Sequence, residues 1–337
     1  MGAPYLLGID LGTTTCRAAV FDLRGRQIGA SSLETAARYP RPTWAEVDPR
    51  VWWVGTVSVL RQTLGAAGVD PRAIAGVGLT GLMHAPVLVD AAGEAVTPAM
   101  LWMDQRCAPQ SARLELAAPG GRFGTSLSAA KLRWLADEQP QALARAAHLL
   151  LPKDYLRLRL TGAVATDPSD AGGTGLYRRQ DGAWDREAVD LCGVPRRLLP
   201  PVRPSWSLAG SVTPAAARAT GLAPGTPVAV GGADTYCTRL GAGGLAPGEA
   251  CLYIGTAAWV AVTAEPPRGE PHRGEIVRGF GATATTGAAL RWARDLIAPP
   301  GGPGSPGDAP GSDSQGDPRG DPQGAVSASY DALVEAA

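Results

Sequence analysis
The chain has 337 residues, 45% of them hydrophobic, which is enough for two domains and a sizeable core. Lys and Arg number 31, as do Asp and Glu, so no whole-chain field draws nucleic acid or an anionic membrane. Five cysteines without a C-x-x-C pair, with three histidines, exclude a zinc signature and a disulfide framework. The opening residues lack a basic region followed by an apolar one, and no apolar run approaches the ~20 residues that cross a bilayer, so a cytoplasmic protein with reduced thiols is expected.

The first predicted element is a buried β-hairpin. Leu6 to Leu11 and Cys16 to Asp22 are runs suited to strands, flanking a Gly12-Thr13-Thr14-Thr15 turn. That tip suits phosphate. Gly12 lets the backbone approach a ligand closely, and the amides and hydroxyls of Thr13, Thr14 and Thr15 donate to anionic oxygens. Each charge-assisted bond is worth roughly 1.5–3 kcal/mol. Asp10 would hold a Mg²⁺ through its water shell, since that ion keeps most of its waters, and Arg17 adds a permanent positive charge. An ordinary hairpin with an Asp and several Thr at its bend accounts for the same residues.

Asp22-Leu23-Arg24-Gly25 reads as a turn into a third strand, Gln27 to Leu33. Asp48 is a candidate N-cap and Pro49 suits the first helical position. Trp53, Val57, Leu60 and Leu64 then recur at i, i+4, i+7 and i+11, which predicts an amphipathic helix facing the core with those four residues. A strand over Ala75 to Leu79 breaks at Thr80-Gly81-Leu82-Met83-His84-Ala85-Pro86 before another, Val87 to Asp90. A meander followed by strands alternating with helices predicts a mixed sheet with helices packed on it.

The break places Met83 and His84 where a ligand meets backbone and side chains. A neutral imidazole both donates to and accepts from ligand hydroxyls, and Met83 packs on a carbon skeleton. A histidine satisfied within its loop and a core methionine explain the pair as well. Trp102 could stack on an apolar ligand face, and Asp104 could bind hydroxyls or form a structural ion pair with Arg106.

Further on, helices are predicted over Leu127 to Asp137, over Tyr155 to Leu160 with Gly162 closing it, within Trp184 to Gly193, and over Pro214 to Gly221. His148 to Leu151 reads as a short strand, and Lys153 and Asp154 are expected to orient the helix after it. Pro227-Val228-Ala229-Val230 is an apolar strand that runs into Gly231-Gly232 and then Asp234. A carboxylate on such a turn suits a base within ~3 Å of an attacking hydroxyl; a plain N-cap is the other reading. Cys251 to Val260 repeats the opening pattern, with Gly255 and Thr256 at its tip. No G-x-x-x-x-G-K-[ST] run occurs, which excludes a P-loop enzyme.

Several of these segments stand in a telling order. Gly8-Ile9-Asp10-Leu11-Gly12-Thr13-Thr14, Trp44-x-Glu46-x-Asp48-Pro49-x-x-Trp52-Trp53, Gly81-Leu82-Met83-His84, Leu101-Trp102-x-Asp104-x-Arg106-Cys107, Leu151-Pro152-Lys153-Asp154-Tyr155 and Asp167-x-Ser169-Asp170-Ala171 follow one another here. The series resembles the FGGY carbohydrate kinases, with their xylulokinase branch nearest, from Tyr5 to about Leu296. The resemblance implies an α/β, actin-like ATPase (ribonuclease-H-like) fold, with one complete domain plus the start of a second. The implied activity is transfer of the γ-phosphate of ATP to a ketose hydroxyl, D-xylulose foremost, with gluconate, ribulose, glycerol or another polyol as alternative acceptors.

The resemblance further implies Mg²⁺, Asp234 as catalytic base with Asp10 beside the metal, and sugar held by Met83, His84, Trp102 and Asp104. Gly12, Thr13, Thr14, Thr15, Arg17, Gly255 and Thr256 would bind the nucleotide phosphates. Partners would be a small sugar, neither nucleic acid nor membrane, and a homodimer is allowed. The domains expected are 4–247 for sugar binding and catalysis, 248–298 for the start of the nucleotide domain, 299–326 as a disordered segment, and 327–337 as a short terminal helix.

Three departures from the family pattern stand out. Leu82 replaces a Gln and Thr235 an Asn, both expected to remove an amide from the acceptor pocket, and the second tip reads Gly-Thr-Ala-Ala. Pro299 to Gly324 holds seven Pro and eight Gly in 26 residues and carries no core-forming side chains. Family members continue into most of a second ATPase domain. On that expectation the chain is C-terminally truncated, and a non-catalytic sugar-binding fragment is the rival reading.

Overall fold
The computed structural model describes residues 4–244, 246–254, 258–264, 277–283 and 286. They divide between Cys237 and Thr238 into two compact units. The first opens with an antiparallel meander of β1 (Tyr5–Leu11), β2 (Thr15–Asp22) and β3 (Gln27–Glu34). Leu7, Ile9 and Leu11 alternate into the core, which turns Gly8 and Asp10 to the other face of the sheet.

After β4 (Glu46–Val47) comes α1 (Pro49–Ala67), started as the sequence predicts by Asp48, whose side chain accepts from the Arg50 amide, and by Pro49. Gly68, at φ 61°, closes it in the left-handed conformation. The helix lies on β2 and β3. Its buried stripe is centred on Trp52, Thr56, Val59, Leu60, Thr63 and Leu64, while Trp53 and Val57 are only half-buried. The predicted face is therefore rotated. Two threonines occupy core positions because their hydroxyls are satisfied there: Thr56 Oγ1 donates to Trp52 O at 2.8 Å, and Thr63 Oγ1 is 2.8 Å from Ser31 Oγ.

β5 (Ile74–Gly81) runs parallel to β1 and continues two residues further than the sequence predicts. The chain then passes through β6 (Val87–Val89), β7 (Ala99–Met100), α2 (Ala108–Ala117), α3 (Ser128–Glu138), α4 (Pro140–Arg145) and β8 (His148–Leu150). α5 (Pro152–Thr161) ends at Gly162 with φ 74°. α6 (Pro168–Gly173), β9 (Tyr177–Arg178), β10 (Ala183–Trp184), α7 (Arg186–Leu191), β11 (Leu208–Ser211) and α8 (Pro214–Thr220) follow. Last come β12 (Pro227–Ala229), β13 (Gly232–Ala233) and α9 (Asp234–Gly241).

The main sheet has the order β11-β12-β5-β1-β2-β3, with β13 also paired to β5. One core lies between this sheet and the side chains of α1, α5 and α8, and includes Leu7, Val20, Trp52, Leu60, Leu79 and Leu156. A second gathers Leu88, Leu114, Leu132, Leu135, Leu149 and Val189. β1, β5, β12 and β13 all run in one direction, so their C-terminal ends share an edge. Ligands of open α/β sheets bind outside that edge.

In the second unit β14 (Ala250–Ile254), β15 (Ala258–Thr263) and β16 (Val277–Thr283) form an antiparallel sheet. Tyr253 stacks on Trp259 with ring centroids 5.5 Å apart. β14 and β15 are the two strands predicted to flank the second Gly-Thr tip; Gly255 and Thr256 themselves lie outside the described residues, as do the segments 299–326 and 327–337.

Candidate active site
The first hairpin tip is built by backbone closure. Gly12 N–H donates to Thr15 O at 2.8 Å, and a Cβ on Gly12 would stand 3.0 Å from that same oxygen. Glycine thus relieves a tight approach within the turn, and its amide is spent there. Thr35 holds the tip from β3's end, its N–H donating to Thr14 O at 2.9 Å and its hydroxyl to Thr13 O at 3.3 Å. Trp102 Nε1–H donates to Thr13 Oγ1 at 3.1 Å, which places the indole against the tip and leaves the Thr13 hydroxyl proton to donate elsewhere.

Asp10 stands directly opposite Arg17 across the hairpin. Burial raises the Asp10 pKa and the Arg17 charge lowers it. Arg17 is exposed and Asp10 half-buried. Among the described residues no group of three or more His, Cys, Asp or Glu side chains gathers into a metal cage. A single carboxylate at a strand end is the kind of ligand that suits Mg²⁺, which is bound by one or two carboxylates together with substrate phosphates.

Asp234 reaches the same edge by a different route. Gly231 has φ 84°, and a Cβ there would lie 2.4 Å from Leu79 O; at Gly232 it would meet Tyr236 Cδ1 at 2.8 Å. Only two glycines fit the turn between β12 and α9. The register then sets Asp10 opposite Thr80 on one side of β5 and Gly232 opposite Thr80 on the other. At about 4.8 Å per strand spacing, β1, which carries Asp10, and β13, which leads into Asp234, are roughly 10 Å apart. Asp234 is the first residue of α9 and its Oδ1 accepts from Thr235 N–H at 2.6 Å. Burial pushes its pKa up to about 7; the Thr235 amide opposes the shift and the Asp10 charge adds to it.

Met83 and His84 fill the loop between β5 and β6. His84 has φ 69°, a costly conformation for this residue, and two hydrogen bonds hold it. Its Nδ1 is 2.7 Å from Gly173 O, and Lys131 Nζ donates to His84 O at 2.9 Å. A Cβ on Gly173 would lie 2.5 Å from Met83 Cε and 3.1 Å from His84 Cε1, so glycine admits both side chains. A carbonyl only accepts, so Nδ1 carries the proton and Nε2 is left as an acceptor. Burial, with the Lys131 charge, lowers the His84 pKa to about 4, which keeps the ring neutral. Thr235 Oγ1 donates to Met83 Sδ at 3.3 Å and joins α9 to this loop.

Two sequence expectations are corrected. Asp104 is fully buried: its Oδ2 accepts from Ala45 N–H at 2.7 Å, and both oxygens engage the Arg106 guanidinium. Arg106 also bonds Glu46 at 2.6 Å and lies 3.6 Å from the Trp44 ring centroid. Asp104 is the structural ion pair and has no lone pair to offer a sugar. Leu82 also belongs to the core, 1% exposed, because its N–H continues the β1–β5 ladder to Leu11 O and turns the side chain inward. Its difference from glutamine therefore bears on packing.

The sequence reading missed Lys131 and the role of Lys153, both fully buried. Burial lowers the Lys131 pKa to about 7, while three aspartates hold that of Lys153 well above the usual lysine range against its burial. For Lys131 the signal available was its place between Ala129, Ala130 and Leu132, where a charge needs a partner, whereas Lys153 stands among charged residues and carried no such signal.

A meander continued by parallel strands, with a Gly-Thr hairpin and two aspartates at one edge, defines an actin-like ATPase domain. The chain belongs to the FGGY family of carbohydrate kinases, whose N-terminal domain matches residues 5–241. It is 30% identical over 316 residues to the xylulose kinase of Bacillus subtilis (strain 168), covering 88% of this chain and 62% of that protein. It is 33% identical over 257 residues to the xylulose kinase of Escherichia coli (strain K12), covering 74% and 52%. The crystal structure of xylulose kinase from Rhodospirillum rubrum superimposes with a TM-score of 0.79 at 30% identity, covering 88% of this chain and 64% of that one. The chain thus spans between about half and two thirds of the length of these relatives.

Proposed function
We propose that the chain carries the acceptor side of an ATP-dependent sugar kinase, which transfers the γ-phosphate to a ketose hydroxyl, with D-xylulose to D-xylulose 5-phosphate as the first reaction to test. The single observation that carries this reading is Asp234, poised at a pKa of about 7 beside Asp10 at one sheet edge. A base is most useful when its pKa lies near the working pH. In the ionised form Asp234 accepts the proton of the acceptor hydroxyl as the new O–P bond forms and the bond to the ADP oxygen breaks.

Met83 and the Nε2 acceptor of His84 bind the sugar, with Trp102 at the boundary between sugar and phosphate. Gly12 shapes the tip, while Thr13, Thr14 and Thr15 face the phosphates and Arg17 offsets their charge. Asp10 would hold Mg²⁺, and the ion would neutralise charge on the phosphates. Gly255 and Thr256, which lie outside the described residues, are assigned to phosphate binding. Among the described residues no helix is long and apolar enough to cross a membrane, and we infer a cytoplasmic setting, where such substrates occur.

The test is ADP release from ATP with a panel of ketoses, polyols and aldonic acids, for the unmodified chain and for Asp234→Asn. Acceptor-dependent release that falls about 10²–10⁴-fold in the variant supports the reading. Undiminished release in the variant refutes the role of Asp234, and calorimetric sugar binding without release favours a binding fragment.

A further inference from the structure
Behind the Asp234 turn lies a fully buried charge cluster that neither the sugar nor the phosphate contacts use. Lys153 Nζ, in the first turn of α5, is 2.7 Å from Asp154 Oδ1, 2.9 Å from Asp167 Oδ1 and 3.0 Å from Asp170 Oδ2. Arg157, one turn along, donates to Asp154 Oδ1 at 2.8 Å. Charges are an expensive way to fill a core, since an apolar set of equal volume is often as stable. This cluster reaches out to one short segment from two sides.

Arg157 Nη1 donates to Val230 O at 2.7 Å. Asp167 Oδ2 accepts from Ser169 N–H at 2.9 Å, from the Ser169 hydroxyl, and from Ser205 Oγ at 3.0 Å. The one proton of Ser169 Oγ is therefore committed to Asp167, and its lone pair accepts Ala233 N–H at 2.9 Å. Ser205 O accepts Gly231 N–H at 2.9 Å. Between Val230 and Ala233, then, one carbonyl and two amides are tied to the cluster or to a residue bound to it. Gly231 and Gly232 have no side chains to fix that turn themselves.

We propose that Ser169, oriented by Asp167 and Lys153, is a positioning residue that fixes the Ala233 amide and so holds the Asp234 carboxylate in its half-buried place beside Asp10. Its catalytic meaning rests on the reading of Asp234 as the base, but its test does not. Around Asp234, Asp10 is the facing charge from β1 and the Thr235 amide the facing dipole from α9. Lys153, Asp167 and Asp170 act on Cys237, one turn further along α9.

The experiment follows the Asp234 carboxyl through a ¹³C NMR pH titration, assigned by its loss in Asp234→Asn, in the unmodified chain, Ser169→Ala and Ser169→Thr. Loss of the hydroxyl frees the turn and admits water to the carboxylate, so the Ser169→Ala midpoint is expected to fall by about one pH unit or more. Ser169→Thr keeps the hydroxyl and is expected to stay within about 0.3 unit of the unmodified chain. An unchanged midpoint in folded Ser169→Ala overturns the proposal. If that variant does not fold, exchange of the Ala233 amide in the unmodified chain decides: slow exchange supports the bond, and exchange at the rate of an exposed loop overturns it. Where the chain turns over, Ser169→Ala lowers kcat about tenfold with KM changed less than about twofold. A chain that releases no ADP while its Asp234 midpoint still moves in Ser169→Ala would sink the kinase reading and leave this one standing.

Discussion

Asp10 and Asp234 lie at the C-terminal ends of strands that pair with the same neighbour, β5, and the charge of Asp10 raises the pKa of Asp234. Like charges at this range disfavour joint ionisation. Removing one should therefore release the other. Asp10→Asn is expected to lower the Asp234 midpoint by a few tenths of a unit to about one unit, read from the same carboxyl titration. A midpoint that does not move would show that the two groups do not share a field. In the unmodified chain kcat/KM should rise with pH through about 7, as Asp234 ionises, and level off above it.

The same perturbed carboxyl has a thermodynamic signature. Its folded pKa of about 7 lies above the ~3.9 of an unfolded aspartate, so between those values the folded chain binds more protons than the unfolded one. The stabilisation is complete below about pH 4 and is lost as pH rises through about 7. Asp234→Asn cannot ionise and escapes that loss. At pH 8 its melting temperature should exceed that of the unmodified chain, reflecting a stability difference on the order of 1–2 kcal/mol because the carboxyl is partly open to solvent, and the gap should close near pH 4. A gap that is constant with pH would mean the carboxyl is not perturbed.

Gly173 lies under the two side chains assigned to the sugar. Its Cβ in Gly173→Ala would need 2.5 Å from Met83 Cε, the far end of a flexible chain, and 3.1 Å from the His84 ring, which is tied to the Gly173 carbonyl. Met83 yields cheaply and the ring less so. Stability should change by less than about 1.5 kcal/mol while KM for the sugar rises roughly tenfold or more. A thermal shift and a KM measurement on the same preparation check both halves. An unchanged KM would place the acceptor elsewhere.

What could be read in advance was local. The Asp48-Pro49 start, the Gly162 stop and the β1–β2 hairpin follow from neighbours within a few positions. The face of α1 was misplaced because Thr56 and Thr63 look polar in sequence, whereas Ser31 and the Trp52 carbonyl satisfy them in the fold. Leu82 was misassigned because β5 runs two residues further, a consequence of pairing with β1 some seventy positions earlier. The Lys153 cluster joins α5 to α6, and Ser169 meets Ala233 across 64 positions. No periodicity carries such a partnership.

Asp104 illustrates how the same motif supports opposite roles until its partners are known. With its side chain fully buried, it accepts from Ala45 N–H 59 positions away and pairs with an Arg106 that is itself 4% exposed between Trp44 and Glu46. Removing Asp104 leaves the buried Ala45 amide without this acceptor and Arg106 with Glu46 as the remaining carboxylate of the two, which costs roughly 1–3 kcal/mol. Asp104→Ala should accordingly lower the unfolding free energy from a denaturant titration by that amount, with a matching fall in midpoint, and Asp104→Asn, which keeps an acceptor for Ala45 N–H, by less. The residual folded protein should bind sugar with an unchanged Kd by calorimetry, because the carboxylate faces the Trp44–Arg106 stack. A variant with an intact midpoint and a weakened Kd would return Asp104 to the sugar site.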